Sequence, residues 1–163
     1  MILYHGSNAD FITIDLEKGQ RYKDFGKGFY LTPDKETAVR MATKKARLFG
    51  GTATLISYEF DESAFQSDLK IKVFPKIDCD EWFLFIDANR NRNNRAIAIH
   101  DYDIVIGPIA NDGVVLLLTN FHDGIYSSEQ AAKLLQDKYL DQQYYFGSYK
   151  AIGFLNRIKS ETI

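Results

Sequence analysis

Two early clusters hold the residues best suited to chemistry. Tyr4-His5-Gly6-Ser7 sets an imidazole beside a glycine, and Lys23-Asp24-Phe25-Gly26-Lys27-Gly28-Phe29-Tyr30-Leu31-Thr32 interleaves charge, glycine and rings. Twelve Phe and ten Tyr in 163 residues are enough both to pack a core and to wall a pocket for a flat ring. Taken alone, His5 reads as a satisfied strand-end histidine and Gly6-Ser7 as an ordinary turn. Asp24 reads more simply as a carboxylate that fixes a turn than as a catalytic one. Arg21, Lys23 and Lys27 read equally as a solvated loop or as contacts to a pyrophosphate.

The remaining candidates exclude more than they offer. His100-Asp101 with Asp103, and His122-Asp123, are metal-ligand types at no recognised spacing, so no metal is expected. Cys79 stands between Asp78 and Asp80, whose charges raise a thiol pKa and argue against a nucleophile. As the only cysteine it forms no internal bridge, which suits a reducing compartment or indifference to redox. Arg90 to Arg95 lacks the interleaved aromatics of an RNA-binding run and reads as a polar link. Arg40, Lys44 and Arg47 share one helix face, read as solvated, the alternative being a docking patch for an acidic partner or nucleic acid. Gly26-Lys27-Gly28 has Leu31 where a dinucleotide fingerprint needs its third glycine, and no P-loop is present. A dinucleotide would have to be held by another route.

The elements that must carry these residues follow from local signals. Ile2 to Tyr4 reads as a short strand ending in a turn at His5 to Asn8, and Gly28 to Thr32 as a second strand. A helix opens at Thr32-Pro33-Asp34, with Thr32 as cap, and its apolar positions are Ala38, Ala42, Ala46 and Phe49 before Gly50-Gly51. Strands are expected over 52–60 and 69–74, then a helix over 78–89 with Trp82, Phe85 and Ile86 on its inner face. Asp103 to Ile106 reads as a strand, and Val114 to Phe121, a continuous apolar run without a period, as a buried helix or strand, with helix favoured. Ser127 with Gln130 makes a capping box for a helix to about Gln136. Gln142 to Phe146 is expected as a strand, and Ser148 to about Lys159 as a last helix. Strands and helices mix without βαβ alternation, so one α+β domain over 1–163 with mainly antiparallel sheets and flanking helices is expected. With 45% hydrophobic residues, 26% charged and a net charge of −2, the chain is neither disordered nor a strongly basic nucleic-acid binder. Its longest strongly apolar run, Val114 to Leu118, is far short of a membrane span, and Met1 to Asp10 shows no secretion signal.

Together the two early clusters resemble ADP-ribosyltransferases of the diphtheria-toxin and poly(ADP-ribose) polymerase branch. His5-Gly6 resembles that branch's His-Gly, and Phe25 to Leu31 resembles the polymerases' Phe-Gly-Lys-Gly-Ile-Tyr-Phe block. A closer likeness is to a bacterial family of short ADP-ribosyltransferase-like proteins, in which the Lys23 to Tyr30 block recurs. That family tends also to carry the Tyr102 to Pro108 segment and a late Gln strand before a Lys-Ala helix, here Gln143 and Lys150-Ala151. The resemblance touches both ends and the middle, and its specificity lies in the first two blocks.

It implies an NAD cleft between antiparallel sheets. NAD would be the co-substrate, cleaved at the nicotinamide ribose through an oxocarbenium-like state. His5 would bond the adenosine ribose, while Gly6, without a side chain, lets its main chain approach the carboxamide. Tyr30 would stack on nicotinamide, and Gln143 would bond the reacting ribose 2′-hydroxyl. Ser7, Arg21, Gly28, Phe29 and Met41 complete the expected NAD-binding set, with Met41 where the polymerases place a second tyrosine. Gln143 replaces the polymerases' glutamate, which implies single transfer rather than chain elongation. Gln143 is preferred over Gln142 as a choice of strand register. The implied protein is a bacterial mono-ADP-ribosyltransferase acting in a cytoplasm, its own or that of a target cell. Its acceptor would be a protein or a nucleic acid, and as a toxin it would be restrained by a small antitoxin protein. The alternatives are a transfer-inactive module that binds NAD or ADP-ribose, and an NAD glycohydrolase.

Overall fold

The computed structural model describes residues 1–74, 80–93, 98–110, 112–135 and 141–163. Among the described residues seven strands and five α-helices alternate irregularly: β1 (Ile2–Ser7), β2 (Phe29–Leu31), α1 (Lys35–Phe49), β3 (Thr54–Phe60), β4 (Ile71–Val73), α2 (Asp80–Arg90), β5 (Ile104–Pro108), α3 (Asp112–His122), α4 (Ser128–Leu135), β6 (Gln142–Phe146), α5 (Tyr149–Ile152) and β7 (Leu155–Thr162). One sheet has the order β1-β3-β7 and the other β2-β6-β5-β4. Every strand pair is antiparallel except β4 with β5. The fold is α+β with one antiparallel and one mixed sheet. Within the described residues no helix is long and apolar enough to cross a membrane.

Alternation along the strands builds two cores. Leu3, Ile56, Tyr58 and Phe60 of the first sheet meet Phe29, Leu31, Ile104, Ile106 and Phe146 of the second. The opposite face of the second sheet presents Val105 and Tyr145 to Trp82, Phe83 and Ile86 of α2, Val114 and Leu118 of α3, and Ala131 of α4, with Phe25 and Phe74 from the loops. The sheets join at one bridge, where Tyr4 and Thr32 exchange hydrogen bonds of 2.8 and 2.9 Å.

Helix α1 covers the outer face of β1. Its cap is Asp34, which accepts from Glu36 and Thr37 N–H, while Thr32 Oγ1 instead accepts from Asp34 N. Ala38 and Ala42 are buried as expected, but Phe49, in the last turn of the helix, is 70% exposed. Arg40 stays on the solvated face expected of it and from there pairs with Asp141 at 3.1 Å, which ties α1 to the start of β6.

Two expected boundaries are corrected. His5, Gly6 and Ser7 form no turn: they continue β1, paired with Ile56, Leu55 and Thr54. Gly6 is needed because α1 lies directly on it, and a Cβ there would sit 2.1 Å from Ala38 O and 2.7 Å from Ala42 N. The last helix stops at Ile152, and residues 155–162 form a strand against β3. That strand satisfies the main-chain groups of β3 that a helix would leave bare. The long apolar helix and the capping box hold: α3 spans Val114 to Phe121, and Ser127 N donates to Gln130 Oε1 at 2.8 Å while Gln130 N donates to Ser127 Oγ at 3.2 Å. Cys79, Asn94, Arg95 and the expected helix end at Gln136 lie outside the described residues.

Because the obstruction at Gly6 is helix backbone, Gly6→Ala is expected to cost about 3 kcal/mol or more in a urea titration. Gly50→Ala, with nothing within 4 Å but φ of 74° and ψ of −172°, backbone that only glycine adopts readily, should cost less, about 1–3 kcal/mol. Equal losses at the two sites would contradict this packing.

Candidate functional site

The Lys23 to Gly28 loop gathers Gly28, Tyr30 and Gln143 of the expected site residues, through contacts that bind the fold rather than leave it open. Phe25 is fully buried, and His100 Nε2 meets its carbonyl at 2.8 Å. Tyr102 N donates to His100 Nδ1 at 3.1 Å, so the ring carries its proton on Nε2 and donates to the Phe25 carbonyl. Tyr30 Oη donates to Gly26 O at 2.7 Å and accepts from Phe25 N at 3.1 Å. Tyr145 Oη donates to Lys27 O at 3.0 Å. A side chain at Gly28 would strike the Tyr145 ring at 2.2 Å, so this glycine serves the crossing of β6 over the loop.

His5 joins the first cluster to the second. Its Nδ1 lies 2.7 Å from the Tyr30 carbonyl, so Nδ1 carries the proton and Nε2 is left as an acceptor. The imidazole stacks on Phe29, with centroids 4.5 Å apart, and meets Phe11 edge-on. Burial first, and the Lys45 charge second, push its pKa down to about 3, against the opposing pull of the Tyr30 carbonyl, so His5 is neutral at physiological pH. Ser7 is buried in β1, and its Oγ accepts from Ala9 N.

Lys45 has no counterpart in the sequence reading. It projects from α1 to place Nζ 2.7 Å from Gly6 O, and burial together with the Lys23 charge lowers its pKa to about 8. Since Tyr4 spends its main-chain groups on Thr32, alternation aims those of Gly6 the same way, away from β3 and along the gap between the sheets. The missing side chain of Gly6 therefore answers to α1, while its carbonyl is available to a charged donor.

Gln143 and Tyr30 share a face of the second sheet, because Tyr30 pairs with Tyr145, two residues along β6 from Gln143. Gln142 faces the other way. Gln143 is buried, with Nε2 at 2.8 Å from Asp24 Oδ2 and 3.1 Å from Pro108 O. Asp24 also receives Arg90 Nε at 2.8 Å and Ala110 N at 3.0 Å, so the backbone amide it bonds lies 86 residues away and not, as expected, in its own turn. Arg90 was legible only as part of a polar link, because nothing local signals a partner 66 residues away.

A concavity beside the loop is walled by Arg21, Tyr22, Lys27, Asn89, His100 and Tyr145. The Arg21 guanidinium lies 5.5 Å over the Tyr22 ring, and Lys27 pairs with Glu17 at 2.7 Å. Gly6, Met41 and Gln143 are not among its walls, and Met41 is 47% exposed on α1. His122 pairs with Asp87 at 2.6 Å, Lys70 bonds Asp101, and Asp103 accepts from Lys70 N and Ser148 Oγ. Among the described residues no three His, Cys, Asp or Glu converge as metal ligands.

Residues 1–156 match the model of a family described as "Protein of unknown function (DUF3990)". The chain belongs to this family. No curated protein and no solved structure matches it significantly. Both early clusters, the Asp24–Arg90 pair and Gln143 fall inside the span that the family model covers.

The buried neutral histidines set a pH dependence. Folded His5 binds its proton only near pH 3 whereas the unfolded ring does so near 6.5, and burial shifts His100 in the same direction. Stability should therefore fall as pH drops from 7 to about 5, with His5 contributing on the order of 2 kcal/mol, before the depressed carboxylates begin to titrate. His5→Asn, which retains a donor to the Tyr30 carbonyl, should flatten that slope in urea titrations at the two pH values. An unchanged slope would assign the loss elsewhere.

Proposed function

We propose that this protein is an NAD-dependent mono-ADP-ribosyltransferase that releases nicotinamide and passes ADP-ribose to a protein or nucleic-acid acceptor. The observation that carries the reading is the 2.7 Å contact of His5 with the Tyr30 carbonyl. It joins the two sequence blocks that resemble the transferases, and the second block reaches Gln143 through Asp24. An antiparallel sheet meeting a second, largely antiparallel sheet at a single bridge also suits the expected cleft.

In this reading His5 offers its bare Nε2 to a ribose hydroxyl, and the Gly6 main chain receives the carboxamide once Lys45 has moved aside. Tyr30, whose phenol is held well above its ordinary pKa by burial and then by the Asp24 charge, stays neutral as a ring wall. Gln143 orients the 2′-hydroxyl. The bond from nicotinamide nitrogen to C1′ breaks, with its electron pair leaving on nicotinamide. The acceptor's lone pair then forms the new bond to C1′, and the acceptor loses a proton. A neutral amide stabilises the developing positive charge less than a carboxylate would, which suits slow single transfer. The resemblance further suggests a bacterial toxin restrained by a small antitoxin protein.

A second reading, a module that binds NAD or ADP-ribose without transfer, is favoured by Lys45 on the Gly6 carbonyl and by the glutamine at position 143. Incubation with labelled NAD and a cell lysate separates the possibilities. Labelled macromolecule and free nicotinamide are expected. Free ADP-ribose alone would assign a glycohydrolase, and calorimetric NAD binding without turnover would assign the binding module. Absence of both turnover and binding would overturn all three.

The hydroxyl of Tyr30 gives a finer test. Tyr30→Phe keeps the ring but deletes both loop bonds, so a stability loss of about 1–2 kcal/mol with nicotinamide release largely retained is expected. Tyr30→Ala, by emptying part of the second core, should lose stability and turnover together. Full activity in Tyr30→Ala would remove the ring from the site.

A further inference from the structure

The amide of Gln143 is held in one orientation. Its Nε2 faces Asp24 Oδ2 and Pro108 O, at 2.8 and 3.1 Å. Pro108 offers only a carbonyl, and Asp24 is already receiving Arg90 and the Ala110 amide, so neither partner has a proton to donate. The NH2 group must therefore point at both, and a flip would set the amide oxygen against two acceptors. Asp24 is fixed in turn. Arg90 grips Oδ1 through Nε at 2.8 Å and Nη at 2.5 Å, and the same guanidinium reaches Ala110 O at 3.5 Å. Asp24 and Gln143 are both buried.

We infer that Asp24, anchored by Arg90, is a positioning residue that locks the Gln143 amide so that Oε1, and not the NH2 group, is offered to the substrate's ribose hydroxyl. This rests on the NAD-cleaving reading. With both hydrogens committed to acceptors, the amide can only accept on its remaining side, which is what a 2′-hydroxyl donor requires. The carboxylate behind the amide also polarises it, making Oε1 more negative where positive charge develops on the ribose. Negative charge is thus supplied one hydrogen bond behind the position at which the polymerases place it directly.

A corollary concerns the glutamate substitution. Gln143→Glu alone sets a second carboxylate against Asp24 Oδ2, where two like charges cannot both ionise. Asp24→Asn with Gln143→Glu reverses the donor and acceptor of the same bond and keeps one negative charge in the pair. The exchange restores neither the bond from Ala110 N–H nor that to the Pro108 carbonyl, which then faces a carboxylate oxygen, so recovery is partial.

The test is nicotinamide release measured as kcat and KM for NAD, with folding of each variant checked by urea midpoint. Asp24→Asn should lower kcat about 10- to 100-fold with KM within about twofold, since the amide is then free to turn its NH2 group to the substrate. Adding Gln143→Glu should restore about tenfold of that loss, whereas Gln143→Glu alone should not exceed wild type. An unchanged kcat in Asp24→Asn, a kcat loss no larger than its loss of folded protein, or no recovery in the double variant overturns the inference while leaving NAD cleavage intact. Wild-type protein that releases no nicotinamide overturns the functional reading and this role with it. Should Asp24→Asn not fold, side-chain amide exchange in the wild-type protein decides. The Gln143 NH2 protons, assigned by their loss in Gln143→Ala, should exchange at least about tenfold more slowly than those of Gln142, and equal rates overturn the lock.

Discussion

The buried carboxylate of Asp24 receives a guanidinium from α2, a backbone amide beyond β5 and the side-chain amide of β6. Removing any one donor leaves charge or polar atoms unpaired in a dry environment, so the three elements stand or fall together. The loop that carries Asp24 also feeds β2, and through β2 it sets where the His5 ring meets the Tyr30 carbonyl. Two cores, two sheets and the candidate site thus share one electrostatic joint. Hydrophobic burial supplies the bulk of the stability on either side of that joint, while the joint sets the alignment of the two sides.

The glycines show the same division of labour between fold and site. Gly6 and Gly28 each permit a close crossing, of α1 over β1 and of β6 over the loop respectively. Both lie in the blocks that resemble the transferases, yet packing alone accounts for the lack of a side chain. Their main-chain atoms remain available, and at Gly6 the carbonyl takes an ammonium from Lys45. A segment can therefore be constrained by packing and still present backbone groups to a ligand.

What could be read from the sequence was what local physics specifies. The Ser127–Gln130 capping box and the strand from Gln142 to Phe146 announce themselves within a few residues, while the unbroken apolar run from Val114, which carries no period, fitted helix or strand until its packing made it α3. That Gln142 and Gln143 face opposite ways was legible as alternation along a strand, whereas the face that Gln143 shares with Tyr30 follows only from the pairing of β2 with β6. The strand over 155–162 was not, since its pairing with β3 decides it and the Ser148 cap pointed to a helix. His5 to Ser7 looked like a turn because glycine and serine favour turns, whereas here the glycine answers to a helix far along the chain. Lys45 and Arg90 carried no signal at all, their roles arising only from partners distant in sequence.

The pairing of β3 with β7 has a consequence for the order in which the molecule comes into being. β3 is laid down early, but one of its two neighbours consists of residues 155–162. Gln143, the donor that Asp24 awaits, is likewise a late arrival. A ribosome-bound nascent chain that stops short of these segments exposes a bare sheet edge and an unassembled joint, so it invites chaperones or association with other chains. Such long-range pairings also slow folding once the chain is complete. Premature translation products would then be handled as unfinished protein, and a cell making this chain would not meet an assembled site until β6 and β7 had emerged.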